Sequence, residues 1–354
     1  MRNVWVRTAI ALVIGAAGGT VFYLLSLPLA WMLGAMFAVM AVALSGGPVA
    51  MPGRFRGIFV TVIGVLLGSA FTPEIVAQAV QFGSALLVQV LFMALATTLG
   101  FFIYRKIGGY DRTTAYFSST PGGLSEMTLV SEAMGGDARI VPLNHAVRIV
   151  LVVTVIPFYF RYIEGLAVPT TPPNLTRVAE TPLEIALLVA CAVIGHAVAT
   201  RLRLPAAPLL GPMVLSAALH VTGISAVTVP SWLVSAALVV IGTGVGTRFV
   251  ERLSPRDLVR TIAIAFFTAT SMIALAIVTA VVFSSFLPVD SIVLFLSIAP
   301  GGLAEMSLIA FAVSNDRAFV TVMHFLRVMV VMLSGALIYK LIFGRRGGPA
   351  KAAE

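Results

Sequence analysis

Blocks of roughly 17–25 residues almost free of charge recur along this chain, and that is the length a helix needs to cross a hydrocarbon core of about 30 Å. Thr8–Leu27, Phe82–Ile103, Leu183–Ala199 and Thr261–Phe283 are the clearest. Backbone inside lipid must satisfy its own hydrogen bonds, so such blocks dictate helices packed as a membrane protein. Composition agrees. Of 354 residues, 59% are hydrophobic and 10% charged, where a soluble domain has about half and a quarter. Mean hydropathy is +1.05. The net charge of +9 would suggest nucleic acid in a soluble protein. Here the basic residues lie in short loops between apolar blocks, which is positive-inside behaviour. Cys191 stands alone in an apolar block, so no disulfide framework is expected. The basic start with its apolar run is read as a first span rather than a cleaved leader.

The chain repeats itself. Pro121-Gly122-Gly123-Leu124-Ser125-Glu126-Met127-Thr128-Leu129 returns 179 residues later as Pro300-Gly301-Gly302-Leu303-Ala304-Glu305-Met306-Ser307-Leu308. The same spacing relates Asp137 to Asp316, His145 to His324 and Arg148 to Arg327. Upstream, Leu27-Pro28…Gly34…Met36 matches Leu204-Pro205…Gly211…Met213, and Gly64…Gly68…Phe71 matches Gly242…Gly246…Phe249. The unit is half the chain. Residues 1–163 form a first membrane repeat, 164–181 a Pro/Thr-rich periplasmic linker, 182–344 a second repeat and 345–354 a cytoplasmic tail.

Each unit offers six apolar segments; in the first they are Thr8–Leu27, Leu29–Ser45, Phe55–Phe71, Phe82–Ile103, Thr113–Met134 and Val141–Tyr159. If all twelve cross, 13 of the 21 Lys and Arg outside the apolar segments fall inside and 8 outside. If the Pro-Gly-Gly segment dips in and returns, each unit crosses five times and the second is inverted; the division is then 18 to 3. The positive-inside rule favours the second arrangement. The expected fold is therefore an all-α polytopic membrane protein. It has two inverted repeats, each of five transmembrane helices plus one re-entrant Pro-Gly-Gly hairpin, with both termini cytoplasmic in a bacterial-type inner membrane.

Thr120-Pro121-Gly122-Gly123 reads as a helix start, with Thr120 as cap and Pro121 in the first helical position. Glycines leave the amides there bare, and a bare helix N-terminus attracts anions. Inverted-repeat transporters place such half-helix ends at the membrane midplane. The expected substrate site is Thr120, Gly122, Gly123, Ser125, Gly301 and Gly302 with Arg148 and Arg327. The expected ion-coupling groups are Glu126, Glu305, His145 and His324, because ionisable side chains at membrane depth are functional by default. A packing role competes with this reading. Glycine also lets helices approach closely, and Glu126 with Arg148, or Glu305 with Arg327, could be neutralised structural pairs. Asp137 and Asp316 read as solvated caps, and His196 and His220 as interfacial. No catalytic residue, metal site or cofactor is expected. The partners are the lipid bilayer, a small anionic solute, a proton or sodium ion, and as an option a second copy of the chain; nucleic acid is not among them.

The duplicated Pro-Gly-Gly-Leu-x-Glu-Met with downstream His-x-x-Arg resembles the AbrB membrane-protein family, over about residues 8–343. That family is distinct from the small DNA-binding regulator of the same name. The resemblance implies a fold similar to cation–proton antiporters and anion transporters, and it carries two labels, regulator of gene expression and ammonia monooxygenase. The residues favour neither label: no redox or metal site is visible, and the loops are too short for a DNA-recognition domain. The function expected is secondary transport of a small, anionic organic solute, coupled to protons or sodium by alternating access. A membrane-embedded regulator or sensor is the alternative, and a membrane enzyme the least favoured.

Overall fold

The computed structural model describes residues 2–71, 73, 82–122, 124–165, 177–178, 181–204, 206–225, 227–249, 254–301, 306–307, 309–310 and 317–343. These residues are helical apart from turns and one pair of two-residue strands. The first half contains α1 (Arg2–Leu24), α2 (Ala30–Leu44), α3 (Gly53–Gly68), α4 (Phe82–Phe102, ending in a π-turn at Ile103–Ile107), α5 (Arg112–Ser119), α6 (Leu124–Ala133) and α7 (Ile140–Tyr162). The second contains α8 (Pro182–Arg201), α9 (Ala207–Val221), α10 (Ser231–Gly246), α11 (Pro255–Ser284), α12 (Ser291–Ile298) and α13 (Arg317–Phe343). Parallel pairing joins Arg177–Val178 to Val227–Thr228.

The duplication extends to fine detail. α2 and α9 both have 15 residues, α3 and α10 both 16, α5 and α12 both 8. Asp111 caps α5 by accepting from the Thr114 amide (2.9 Å), and Asp290, 179 positions on, caps α12 by accepting from the Ile292 amide (2.7 Å). The turns before α2 and α9 hold matching non-glycine residues in the left-handed region: Ser26 (φ 53°) and Leu29 (φ 46°) in one, Arg203 (φ 54°) and Ala206 (φ 46°) in the other. Such conformations are uncommon outside glycine, so their recurrence marks two copies of one backbone design.

Among the described residues, six helices are long and apolar enough to cross a membrane: Val4–Leu24, Gly83–Ile107, Ile140–Tyr162, Pro182–Arg201, Ser231–Phe249 and Pro255–Ser284. α2 and α9 are apolar but shorter. At about 1.5 Å per residue, α2, α3 and α9, of 15 or 16 residues, reach only about 22–24 Å. α1 and α8 turn large apolar side chains outward, Val13 and Val193 among them. A surface so apolar suits lipid rather than water.

Glycine seams hold the helices together. Gly18 lies against the carbonyl of Gly34, joining α1 to α2, and Gly195 against Gly211 joins α8 to α9 in the same way. The halves then exchange partners. Gly64 and Gly68 of α3 pack on the carbonyls of Leu209 and Met213 in α9. Their counterparts Gly242 and Gly246 of α10 pack on the carbonyls of Met32 and Met36 in α2. Each contact recurs with the halves swapped, the signature of a twofold relation.

The Thr113–Met134 segment, read from sequence as one unit, is two short helices, and the chain doubles back. The Asp137 amide donates to the Thr114 hydroxyl (2.9 Å), so the segment ends beside its start. One expectation is corrected here. Thr120 does not cap the helix that follows; it ends the helix before, as the C-cap of α5, and its hydroxyl donates back to the Tyr116 carbonyl (2.8 Å). Pro121 is likewise not the first helical residue, since α6 begins at Leu124. The cause is steric: a residue preceding proline is driven out of the helical region, and Thr120 sits extended at ψ 127°.

Candidate functional site at the two proline-glycine breaks

α5 and α12 each end at a break, and α7 and α13 each carry a histidine and an arginine one turn apart beside it. All four side chains are buried: His145 and His324 are 0% exposed, Arg148 5% and Arg327 2%. The His145 Nε2 faces the Phe117 carbonyl at 2.9 Å, and the His324 Nε2 faces the Leu296 carbonyl at 2.8 Å. Arg148 donates from Nη2 to Nδ1 of His145 (2.7 Å). A guanidinium has only donors. Nδ1 therefore accepts, the proton of His145 sits on Nε2, and the ring is neutral.

Both arginines reach the carbonyls at the end of the preceding short helix, the negative end of its dipole. They do so unequally. Arg327 donates to Ala299 O (2.7 Å) and to Gly301 O (2.5 Å), clamping its break. Arg148 reaches Thr120 O at 3.4 Å and spends its other terminal nitrogen on His145. Its Nε–H is buried with no hydrogen-bond partner among the described residues.

At each tip the glycine amide donates back across the proline, Gly122 to Thr120 O (2.9 Å) and Gly301 to Ala299 O (2.8 Å). A methyl group on Gly122 would lie 2.7 Å from Cγ of Met127 and 2.9 Å from Cγ1 of Val331 in α13. One on Gly301 would lie 2.6 Å from Sδ of Met306 and 3.0 Å from Cγ1 of Val152 in α7. Each break thus presses on the last helix of the other half. Val331 is one turn beyond Arg327, and Val152 one turn beyond Arg148. The contacts close a ring: Arg148, Thr120, Gly122, Val331, Arg327, Gly301, Val152 and back to Arg148.

The structure therefore gathers Thr120, Gly122, Arg148 and His145 at one break and Gly301, Arg327 and His324 at the other, and links the two. Gly123, Gly302 and Glu305 lie outside the described residues, as do the side chains of Ser125 and Glu126; the backbone of both residues is in the first turn of α6. Asp137 accepts from the amides of Arg139 and Ile140 and pairs with the Arg139 side chain (2.9 Å). The Arg139 hydrogen bond holds its carboxyl below the ordinary value. Asp316 is outside the described residues. His196 lies in α8, and His220 is in the last turn of α9, its ring nitrogens facing the carbonyls of Ser216 and Val227.

Two buried amides escaped the sequence reading. Asn144 donates to the Ser118 hydroxyl (2.9 Å), and Gln89 of α4 donates to the Met323 carbonyl (3.0 Å). Their Oδ1 and Oε1 have no partner among the described residues. A lone amide within an apolar run was the available signal. Neither is repeated in the other half at the 179-residue spacing, where Asn144 corresponds to Met323, and a search by repetition passes over them.

A profile of the family described as "Transition state regulatory protein AbrB" matches residues 31–343. The chain belongs to the AbrB family. Two relatives span nearly its whole length. A Bacillus subtilis protein named "Uncharacterized protein YhjN" is 26% identical over 357 residues, covering 94% of this chain and 92% of the relative. An Escherichia coli protein named "Putative regulator AbrB" is 24% identical over 325 residues, covering 91% of this chain and 92% of the relative. The twin breaks of this AbrB-family member fall inside the matched region, so the family's profile takes in both copies of the site.

Proposed function

We propose that this AbrB-family protein is a secondary transporter of a small organic anion, coupled to protons or sodium by alternating access in the inner membrane. The observation that carries the reading is the closed ring joining two half-helix breaks, each held by a buried arginine and pressed on the other half's last helix. A site shared between two related halves can be exposed first to one side and then to the other. The two buried guanidiniums sit at the ends of α5 and α12, where they donate to main-chain carbonyls, and the positive charge they bring to the ring is what would attract an anionic group.

Orientation follows from the same chain. With both proline-glycine segments returning to the side they left, 18 loop Lys and Arg face the cytoplasm and three face outward. The Asp137–Thr114 bond supports that return. So does Arg260, which donates to the Gly108 carbonyl (3.2 Å). Twelve crossings would put those two residues on opposite sides, whereas inversion puts both on the cytoplasmic side. Glu126 and Glu305 are the proposed carriers of the coupling ion.

The test uses purified protein in proteoliposomes under an imposed proton or sodium gradient, with short mono- and dicarboxylates as probes. Accumulation that collapses with the gradient is expected. Binding of such an anion without accumulation would instead favour a sensor, the role suggested by the name of the Escherichia coli relative.

A further inference from the structure

Two grooves open on the flank of the molecule, and they are counterparts. The larger, about 650 Å³, runs between α4 and α13 and ends at Thr120 and Pro121. The smaller, about 270 Å³, runs between α11 and α7. Their walls correspond at the 179-residue spacing: Thr98 with Ile277, Tyr116 with Phe295, Ser334 with Val155. The grooves are thus one feature built twice and seen in two conditions. The wide one reaches its break; the narrow one stops short of Ala299 and Pro300. The arginines differ in step. At the narrow groove Arg327 is clamped on two carbonyls of the break, while at the wide groove Arg148 holds one at 3.4 Å and turns its other terminal nitrogen to His145.

The wide groove offers an apolar body and a charged end. Met93, Phe101, Val330 and Phe343 line it. Four of its five hydroxyls, all but that of Thr97, donate to main-chain carbonyls: Thr98 to Ala94 (2.7 Å), Tyr116 to Gly335 (3.0 Å), Ser334 to Val330 (2.6 Å) and Thr120 to Tyr116 (2.8 Å). A ligand along these walls gains by burying hydrocarbon. At the end wall stands Thr120, with the Arg148 guanidinium behind its carbonyl. The volume lies within the roughly 300–1,000 Å³ of small-molecule sites, and the narrow groove just below it.

Building on the transport reading, we propose that the wide groove is the cytoplasmic half of the solute path, that it takes an anion with an apolar tail such as a medium-chain carboxylate, and that the narrow groove is the same path closed on the periplasmic side. The tail lies between α4 and α13, and the carboxylate meets the break and Arg148. Reversal of the two conditions would let Arg148 clamp its break as Arg327 now does.

Octanoate is the probe, with the full chain in lipid nanodiscs, and acetate and octanol are the comparisons. Octanoate should bind about tenfold more tightly than either, since acetate lacks the tail and octanol the charge. Thr98→Trp fills the wide groove from a lipid-facing position and should weaken octanoate by about tenfold, while its twin Ile277→Trp should leave it within about twofold. Ser334→Phe, from the opposite wall, repeats the test should Thr98→Trp fold poorly. The proposal is overturned if octanol matches octanoate, which would mark a lipid groove, if acetate matches it, or if both wide-groove variants bind normally. The transport reading fails separately. Octanoate bound as expected with no anion accumulated removes transport and keeps the groove; short anions accumulated with octanoate neither binding nor competing does the reverse.

Discussion

Gly122 and Gly301 have no room for a side chain. A methyl on either would press on a methionine of its own half and a valine of the other. Gly122→Ala and Gly301→Ala should each destabilise the protein by about 1–3 kcal/mol through overpacking. Unfolding in mixed micelles measures this, and near-normal midpoints for both would contradict the close contact. Asp137 supplies a second residue-scale test. Arg139 holds its carboxyl below the ordinary value. The stability this contributes is complete above the ordinary carboxylate range and drains away as pH falls through the lowered value. Asp137→Asn should therefore lose stability at neutral pH and flatten the acid limb of the stability profile; an unchanged acid limb would assign it to other carboxylates. The chemistry-bearing residues were legible because histidine and arginine are rare in apolar helices. The main-chain acceptors of Arg148 and Arg327 were not, because every residue has a carbonyl and side-chain types do not show which ones lie within reach; the glutamate pairing that side-chain types suggested falls on Glu126 and Glu305, whose side chains lie outside the described residues.

At the scale of elements, the break itself was legible from Pro-Gly-Gly, but its polarity was not. The motif reads equally as the end of one helix or the start of the next, and the bias that proline imposes on the residue before it decides for the end. The hairpin that follows is closed by the Asp137–Thr114 bond. Thr114→Val keeps the shape and removes that acceptor, and should cost about 1 kcal/mol. Hydrogen exchange across residues 112–139 should rise, and protection equal to the parent chain would mean the return is held elsewhere. The short α2, α3 and α9 were harder to read: the sequence offered apolar segments of ordinary span length, whereas these helices end after 15 or 16 residues, and their glycine faces pack backbone to backbone inside the molecule.

For the whole molecule, duplication was visible because a nine-residue motif recurs at one spacing with charged residues in step. Spacing cannot say which half packs on which, and the exchange of α3 and α10 between halves emerges only in three dimensions. Orientation is checked by single cysteines in a Cys191→Ala background. Gly109→Cys and Arg256→Cys should label from the cytoplasmic face and Thr171→Cys from the periplasmic face of intact cells. Thr171→Cys labelling from the cytoplasmic face with Gly109→Cys, and Arg256→Cys from the periplasmic face, would restore a parallel arrangement.

The partner exchange along the glycine seams also bears on ancestry. A half whose exposed edge fits the equivalent edge of its twin is what a free-standing protein of half this length would need in order to pair with itself. If each half crosses an odd number of times, as in the proposed orientation, such an ancestor would have to insert facing both ways, and fusion would then have frozen one copy in each direction. The present chain should retain that self-sufficiency. Cut within 166–176 and expressed as two fragments, it should reassemble in the membrane and copurify, whereas fragments that never meet would mean that the linker has become part of the fold.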